Sequence, residues 1–174
     1  MPAGLLNGFR VLDLGSGISA PWCSKILADY GAEVIKVEPP GIGDASRRMG
    51  PFAGNDPDLE KSLTFLYLNT NKKGVTLDPS IITGRKVFDR LLENADVLVH
   101  NNTPGQSKEL GLDYDSLAKV NPGLVLTSIA PFGHTGPYKD FQATDIITYA
   151  LSGLMYHSGA VSYTHLTLPT NREV

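Results

Sequence analysis

Short apolar runs alternate with amphipathic stretches along most of the chain. Residues 10–14 (RVLDL) form the first run, and Gly15 and Gly17 stop it, which predicts a buried strand entering a glycine turn. Residues 19–31 follow with Pro21 near the start and Gly31 just past the end, the asymmetry of a helix. Trp22, Ile26, Leu27 and Tyr30 fall near one face of it and are expected to pack inward. Residues 32–38 predict a second strand, closed by Pro39 and Pro40. A strand, helix and strand within about thirty residues have the size of a βαβ crossover, with the two strands parallel.

Residues 41–62 are a long turn-rich stretch holding Arg47 and Arg48, and a loop of that length is usually functional or disordered. Order resumes at residues 63–68, and a polar cluster, Asn69 to Lys73, leads to a short strand at residues 75–77. Asp78 and Pro79 resemble an N-cap and first helical position. In the helix after them, Phe88, Leu91, Leu92 and Ala95 mark one buried face. Residues 96–100 and 124–129 are two further strands, and residues 113–120 a short helix that stops before Asn121-Pro122. A last helix is expected over residues 144–154, with Ile147, Ala150, Leu151 and Leu154 inward. The alternation predicts an α/β domain with a mainly parallel sheet.

Composition narrows the function. The 174 residues include 15 Lys plus Arg and 18 Asp plus Glu, for a formal charge of −3; 41% are hydrophobic and 19% charged. These values argue against a disordered chain, a coiled coil and a basic nucleic-acid binder. No apolar run is long enough to span a membrane, and residues 1–7 lack the pattern of a secretory signal. The single cysteine, Cys23, excludes an internal disulfide and fits a reducing, cytoplasmic setting. It sits beside the apolar face of the first helix and reads as a packed residue, not a nucleophile. No His, Cys and carboxylate spacing points to a metal.

The glycine turn admits three readings. Gly15-Ser16-Gly17-Ile18-Ser19-Ala20 fits G-x-G-x-x-G/A, and Glu38 lies where a ribose-binding acid would stand, so one reading is an NAD site. Residues 11–17 (VLDLGSG) also look like the first motif of S-adenosylmethionine methyltransferases, although Ser19 stands where a further glycine is usual. A third reading is that Gly15 and Gly17 only make a tight strand-to-helix turn; the non-enzyme alternative for the chain is a stand-alone nucleotide-binding or assembly module.

A longer series of motifs goes further. It includes residues 27–40 (LADYGAEVIKVEPP), Gly43-Asp44 before Arg47, residues 68–78 (LNTNKKGVTLD), residues 95–99 (ADVLV) and Thr103-Pro104-Gly105. Leu110-Gly111-Leu112, residues 133–137 (GHTGP), Asp145 and residues 151–155 (LSGLM) continue it in order. From about Leu5 to Gly159 the series resembles the family III CoA-transferases, the CaiB/BaiF group, which includes formyl-CoA and carnitine CoA-transferases and an acyl-CoA racemase branch. The resemblance implies a Rossmann-like large domain, a smaller second domain and, at full length, a homodimer of interlinked chains. It also implies transfer of CoA from an acyl-CoA donor to a carboxylic acid acceptor. An aspartate attacks the thioester, giving a mixed anhydride and then an aspartyl-CoA thioester, so that one hard exchange becomes several easier ones.

Carried over one position at a time, the resemblance implies CoA contacts at Gly17, Ile18 and Ser19 in the turn, at Leu77 on the adenine side, at Asn101 near the thioester end and at Leu110 as an apolar wall. Two arginines of relatives are replaced here by Glu109 and Pro39; Lys108 beside Glu109 can compensate, and Lys72, Lys73, Arg47 and Arg48 are the remaining nearby cations. Thr144 and Asp145 match substrate-pocket positions. The racemase branch carries a His where Thr144 stands, and threonine is no base near neutral pH, so the transferase branch is favoured. His100 and His134 lie elsewhere. The family's nucleophilic aspartate lies beyond residue 160. Residues 161–174 look like a non-native tail, so the chain is expected to be the N-terminal part of the large domain, over residues 1–160, and inactive alone.

Overall fold

The computed structural model describes residues 4–157, so the expected tail lies outside the described residues. The chain divides into two compact units, Met1–Asp140 and Phe141–Val174. The first holds β1 (Arg10–Asp13), α1 (Ser19–Asp29), β2 (Glu33–Glu38), α2 (Leu63–Leu68), β3 (Lys72–Thr76), α3 (Ile82–Glu93), β4 (Val97–His100), α4 (Pro104–Glu109), α5 (Tyr114–Leu117) and β5 (Val125–Ser128). The second holds α6 (Asp145–Leu151) and α7 (Leu154–His157).

The five strands are all parallel, in the order β3-β2-β1-β4-β5. Side chains alternate across the sheet, and each face of β1 and β4 meets its own apolar cluster. Leu12 and Leu98 pack with Phe88, Leu92, Leu112 and Leu117 on one side. Val11 and Val99 pack with Ala20, Ala28 and Val34 on the other. A strand covered on both faces has a near-continuous apolar sequence, which is why β1, β2 and β4 are legible. The order reverses between β1 and β4, and a parallel sheet opens a crevice at the carboxyl ends of its strands at that point.

Several expectations need correction. Trp22, Ile26 and Tyr30 are 42%, 41% and 55% exposed, and α1 buries Ala20, Pro21, Ser24, Lys25 and Ala28 instead. Small residues let the helix lie close to the sheet, while Trp22 turns to the Tyr67 ring of α2, 5.7 Å away. Strand β3 begins at Lys72, earlier than its apolar residues announce, because it is a polar edge strand. Asp78 accepts from Ser80 N at 2.9 Å, and α3 starts only at Ile82. Helix α4 had no apolar signal; Thr103 and Gln106 form a capping box around Pro104. The single helix expected over residues 144–154 is broken at Gly153, whose φ of 80° ends α6, and α6 buries none of its residues.

Candidate functional site

Gly15 to Ser19 join β1 to α1 at the switch point. The first three amides of the turn are each taken by a different side chain. Gly15 N donates to Asp13 Oδ1 at 2.9 Å, Ser16 N to Asn101 Oδ1 at 2.9 Å and Gly17 N to Asp44 Oδ1 at 3.0 Å. Asn101, the first residue after β4, also donates to Ser16 O at 2.7 Å and to Ser19 Oγ at 3.3 Å. It therefore spans the crevice and ties the turn to the neighbouring strand.

Two carboxylates and two lysines are buried beneath the turn. Lys36 lies 2.6 Å from Asp44 and 3.7 Å from Asp13, and it donates to Gly15 O. Lys72 donates to Asp13 Oδ2 at 2.8 Å, Pro21 O at 2.8 Å and Asn69 Oδ1 at 2.9 Å. Ser24 adds a 2.6 Å bond to Asp13. Buried charges persist where they are paired and hydrogen-bonded, and here the two pairs cancel. Burial works to raise the Asp44 pKa, but Lys36 and Ser46 outweigh it and hold the carboxyl below the usual range. Burial pushes the Lys72 ammonium down, against the pull of Asp13.

The glycine part of the turn is not a free diphosphate cradle: a cradle needs free N–H groups, and the amides of Gly15, Ser16 and Gly17 are already satisfied, two of them by carboxylates. Glu38 is not a free ribose ligand either. Arg47 grips it at 2.7 and 2.9 Å, and it accepts from Asp44 N at 2.9 Å. The bond to Arg47, partly opposed by burial, holds the Glu38 carboxyl below its ordinary pKa. The exposed part of the turn is its tip, where Ile18 is 57% exposed, Ser19 is exposed and Gly17 half-buried.

The remaining expected site residues scatter. Lys72 and Lys73 are corrected: the Lys72 side chain is 1% exposed with its ammonium used internally. Lys73 pairs with Glu33 at 2.6 Å, where β2 begins and thus at the sheet edge opposite the crevice. Arg47 is taken by Glu38 and Glu60, and Arg48 donates to Ile42 O. Leu77 and Leu110 both pack on the Leu12 side of the core. Leu110 also lines a groove of about 510 Å³ with Ile81, Ile82, Lys86, Lys108 and Glu109. Arg85 shapes that groove by donating to Leu110 O at 2.7 Å and pairing with Asp89. Thr144 stands at the N-cap position of α6 without a side-chain cap bond, and Asp145 opens the helix, within the second unit.

Cys23 is half-buried against the Val11 cluster, and burial, then Asp13, pushes its thiol pKa up, as suits a packed residue. The sequence reading missed His100, which is fully buried at the end of β4. Its Nε2 lies 3.0 Å from Ser128 Oγ, and the same oxygen lies 2.7 Å from His134 Nε2. Burial, with a smaller push from His134, brings the His100 pKa down to about 4. A signal existed for the buried network: Asp13 and Lys36 are charged residues inside strongly apolar strands.

The family model for CoA-transferase family III matches residues 6–168. The acetyl-CoA:oxalate CoA-transferase of Acetobacter aceti is 39% identical over 158 residues, 91% of this chain and 39% of that protein. The succinyl-CoA:(R)-benzylsuccinate CoA-transferase subunit BbsE of Thauera aromatica is 40% identical over 164 residues, 94% of this chain and 40% of that protein. The crystal structure of a CAIB/BAIF family protein from Brucella suis superposes with a TM-score of 0.80 at 38% identity, covering 88% of this chain and 40% of that one. The chain thus spans about two fifths of the length of these relatives. A parallel sheet with its glycine turn at the switch point, matched in sequence along nearly its whole length, makes this chain a member of CoA-transferase family III.

Proposed function

We propose that this chain carries the CoA-binding part of an enzyme that moves CoA from an acyl-CoA donor to a carboxylic acid acceptor through an aspartyl intermediate. The observation that carries the reading is the turn itself. The amides of Gly15, Ser16 and Gly17 are engaged by Asp13, Asn101 and Asp44, and the tip at Gly17, Ile18 and Ser19 is exposed and partly apolar. Such a tip suits the pantetheine arm of CoA better than the diphosphate of NAD. Asn101, already at the tip, is the polar group beside the thioester end. The nucleotide end belongs in the groove at Leu110. There Ile81 and Ile82, 53% and 79% exposed, offer apolar surface to the adenine. Lys86 and Lys108, in no ion pair among the described residues, offer charge to phosphate and replace Lys72 and Lys73 in that role.

A carboxylate is ionised and nucleophilic at neutral pH because its reference pKa is about 4. The aspartate that the resemblance assigns to attack lies past residue 160, so we read this polypeptide as a CoA binder without turnover. Thr144 keeps the reading on the transferase side of the family, and Asp145 is assigned to the acceptor pocket. The full enzyme is assigned to the cytoplasm as a homodimer. Residues 161–174 are assigned to a non-native tail, and the continuation of the gene past residue 160 tests that assignment.

Calorimetry of this chain with CoA, NAD and S-adenosylmethionine tests the central claim. Binding of CoA alone is the expected result. Binding of NAD or S-adenosylmethionine in its place, or of none of the three, overturns the reading. Turnover of an acyl-CoA and carboxylate pair by this polypeptide overturns the assignment of its nucleophile beyond residue 160.

A further inference from the structure

Ser128, His100 and His134 form a hydrogen-bonded chain at the carboxyl ends of β4 and β5, one residue from Asn101. Their proton placement follows from the donors around them. The backbone N–H of Asn102 can only donate, and it meets His100 Nδ1 at 3.3 Å. Nδ1 is therefore bare, and the ring proton sits on Nε2. That Nε2–H donates to Ser128 Oγ at 3.0 Å. The Ser128 hydroxyl then has one hydrogen to give, and the acceptor within reach is His134 Nε2 at 2.7 Å. In that arrangement His134 Nε2 accepts and the ring proton of His134 sits on Nδ1. The Asn102 N–H sets the direction at its own end, and the relay then runs from Asn102 N–H to His100, from His100 to Ser128 and from Ser128 to His134.

The relay controls a junction. His100 is 0% exposed and its backbone is held to β5 by Ile129 N at 2.9 Å. Its ring captures the amide two residues on, so the backbone of Asn101 is clamped between a strand and a ring. From that clamped position Asn101 grips Ser16 and Ser19 across the crevice. With the opposite His100 tautomer, Nδ1–H would face the Asn102 N–H and the clamp would open.

We propose that Ser128 is a positioning residue, which fixes the His100 tautomer and through it the Asn101 bridge that holds the glycine turn in its ligand-ready shape. The consequence for CoA rests on the proposed function; the consequence for the turn does not.

Nuclear magnetic resonance on the full 174-residue chain, labelled with ¹⁵N, tests it at neutral pH. Long-range correlations are expected to show His100 protonated on Nε2 and His134 on Nδ1. A His100 protonated on Nδ1 overturns the proposal. In Ser128→Ala the Ser16 amide should exchange about tenfold faster, the loss expected for one hydrogen bond. The Val11 and Val99 amides should keep their rates, and Ser128→Thr, which keeps the hydroxyl, should restore the wild-type rate at Ser16. An unchanged Ser16 rate in Ser128→Ala, or a rate in Ser128→Thr as fast as in Ser128→Ala, overturns it. Should Ser128→Ala fail to fold, the wild-type tautomers decide, together with His134→Leu, which removes the terminal acceptor and should also speed Ser16 exchange. In calorimetry, CoA affinity should fall about tenfold in Ser128→Ala. A chain whose turn responds as described but that binds no CoA upholds the relay and refutes the proposed function.

Discussion

Asp44 concentrates the electrostatics of the turn on one side chain. It accepts from Gly17 N, Ser46 N and Ser46 Oγ and pairs with buried Lys36. Asp44→Ala strands the Lys36 charge in the interior and should cost about 3–5 kcal/mol in urea unfolding. Asp44→Leu with Lys36→Met removes the stranded charge and should recover part of that loss, but not all, because the Gly17 amide stays unpaired. His100 gives the stability a pH dependence. Its ordinary pKa is 6.5 and its folded value about 4, so between those values the unfolded chain binds more protons. Stability should therefore fall as the pH drops from about 6.5 to about 4, by on the order of 3 kcal/mol. Glu38 and Asp44 have folded pKa values below those of free carboxylates, so their contribution is lost only at lower pH, as a second stage. Melting temperature against pH reads both stages, and His100→Gln should flatten the first. A wild-type profile flat from 6.5 to 4 contradicts the burial of a neutral imidazole.

At the scale of elements, the glycines of the turn act for different reasons. A Cβ at Gly15 would stand 2.2 Å from the Ala20 Cβ, because α1 lies tight against the end of β1. A Cβ at Gly17 would meet nothing within 4 Å, but the residue sits at φ +77°. Gly15→Ala should therefore force α1 off the sheet and abolish a cooperative transition or cost more than about 3 kcal/mol. Gly17→Ala should cost only about 1–2 kcal/mol. Circular dichroism melts of the two variants separate these cases, and equal losses would contradict the packing argument. Helix α4 depends on its cap instead of on buried apolar residues, so Thr103→Ala should cost about 1 kcal/mol.

At the scale of the molecule, large apolar side chains remain on the surface. Val125 on β5 is 59% exposed, and Ile146 and Leu151 of α6 are 65% and 69% exposed. Among the described residues strand β5 is also a sheet edge, with one side unpaired. An open edge in the first unit and apolar surface on a helix of the second each favour association. Sedimentation velocity of this chain should show a weight-average mass that rises with concentration, and a single monomeric species at every concentration would contradict it.

The sequence alone determined the sheet, because β1, β2 and β4 are buried on both faces and leave apolar runs that nothing else explains. It also determined the family, since ordered motifs from Leu5 to Gly159 carry more information than one glycine turn. It did not determine which side of α1 faces inward, because how close a helix lies to a sheet decides between large and small side chains. Nor did it show that Lys72 turns inward while Lys73 pairs at the far edge, since adjacent lysines look alike until a strand sends them to opposite faces. The partners of the turn amides were equally invisible. Asp13, Asp44 and Asn101 are separated by up to 88 positions in sequence, and only the parallel register of β2, β1 and β4 brings them to one turn. A hydrogen bond depends on distance and angle between atoms, and those are set by the packed chain.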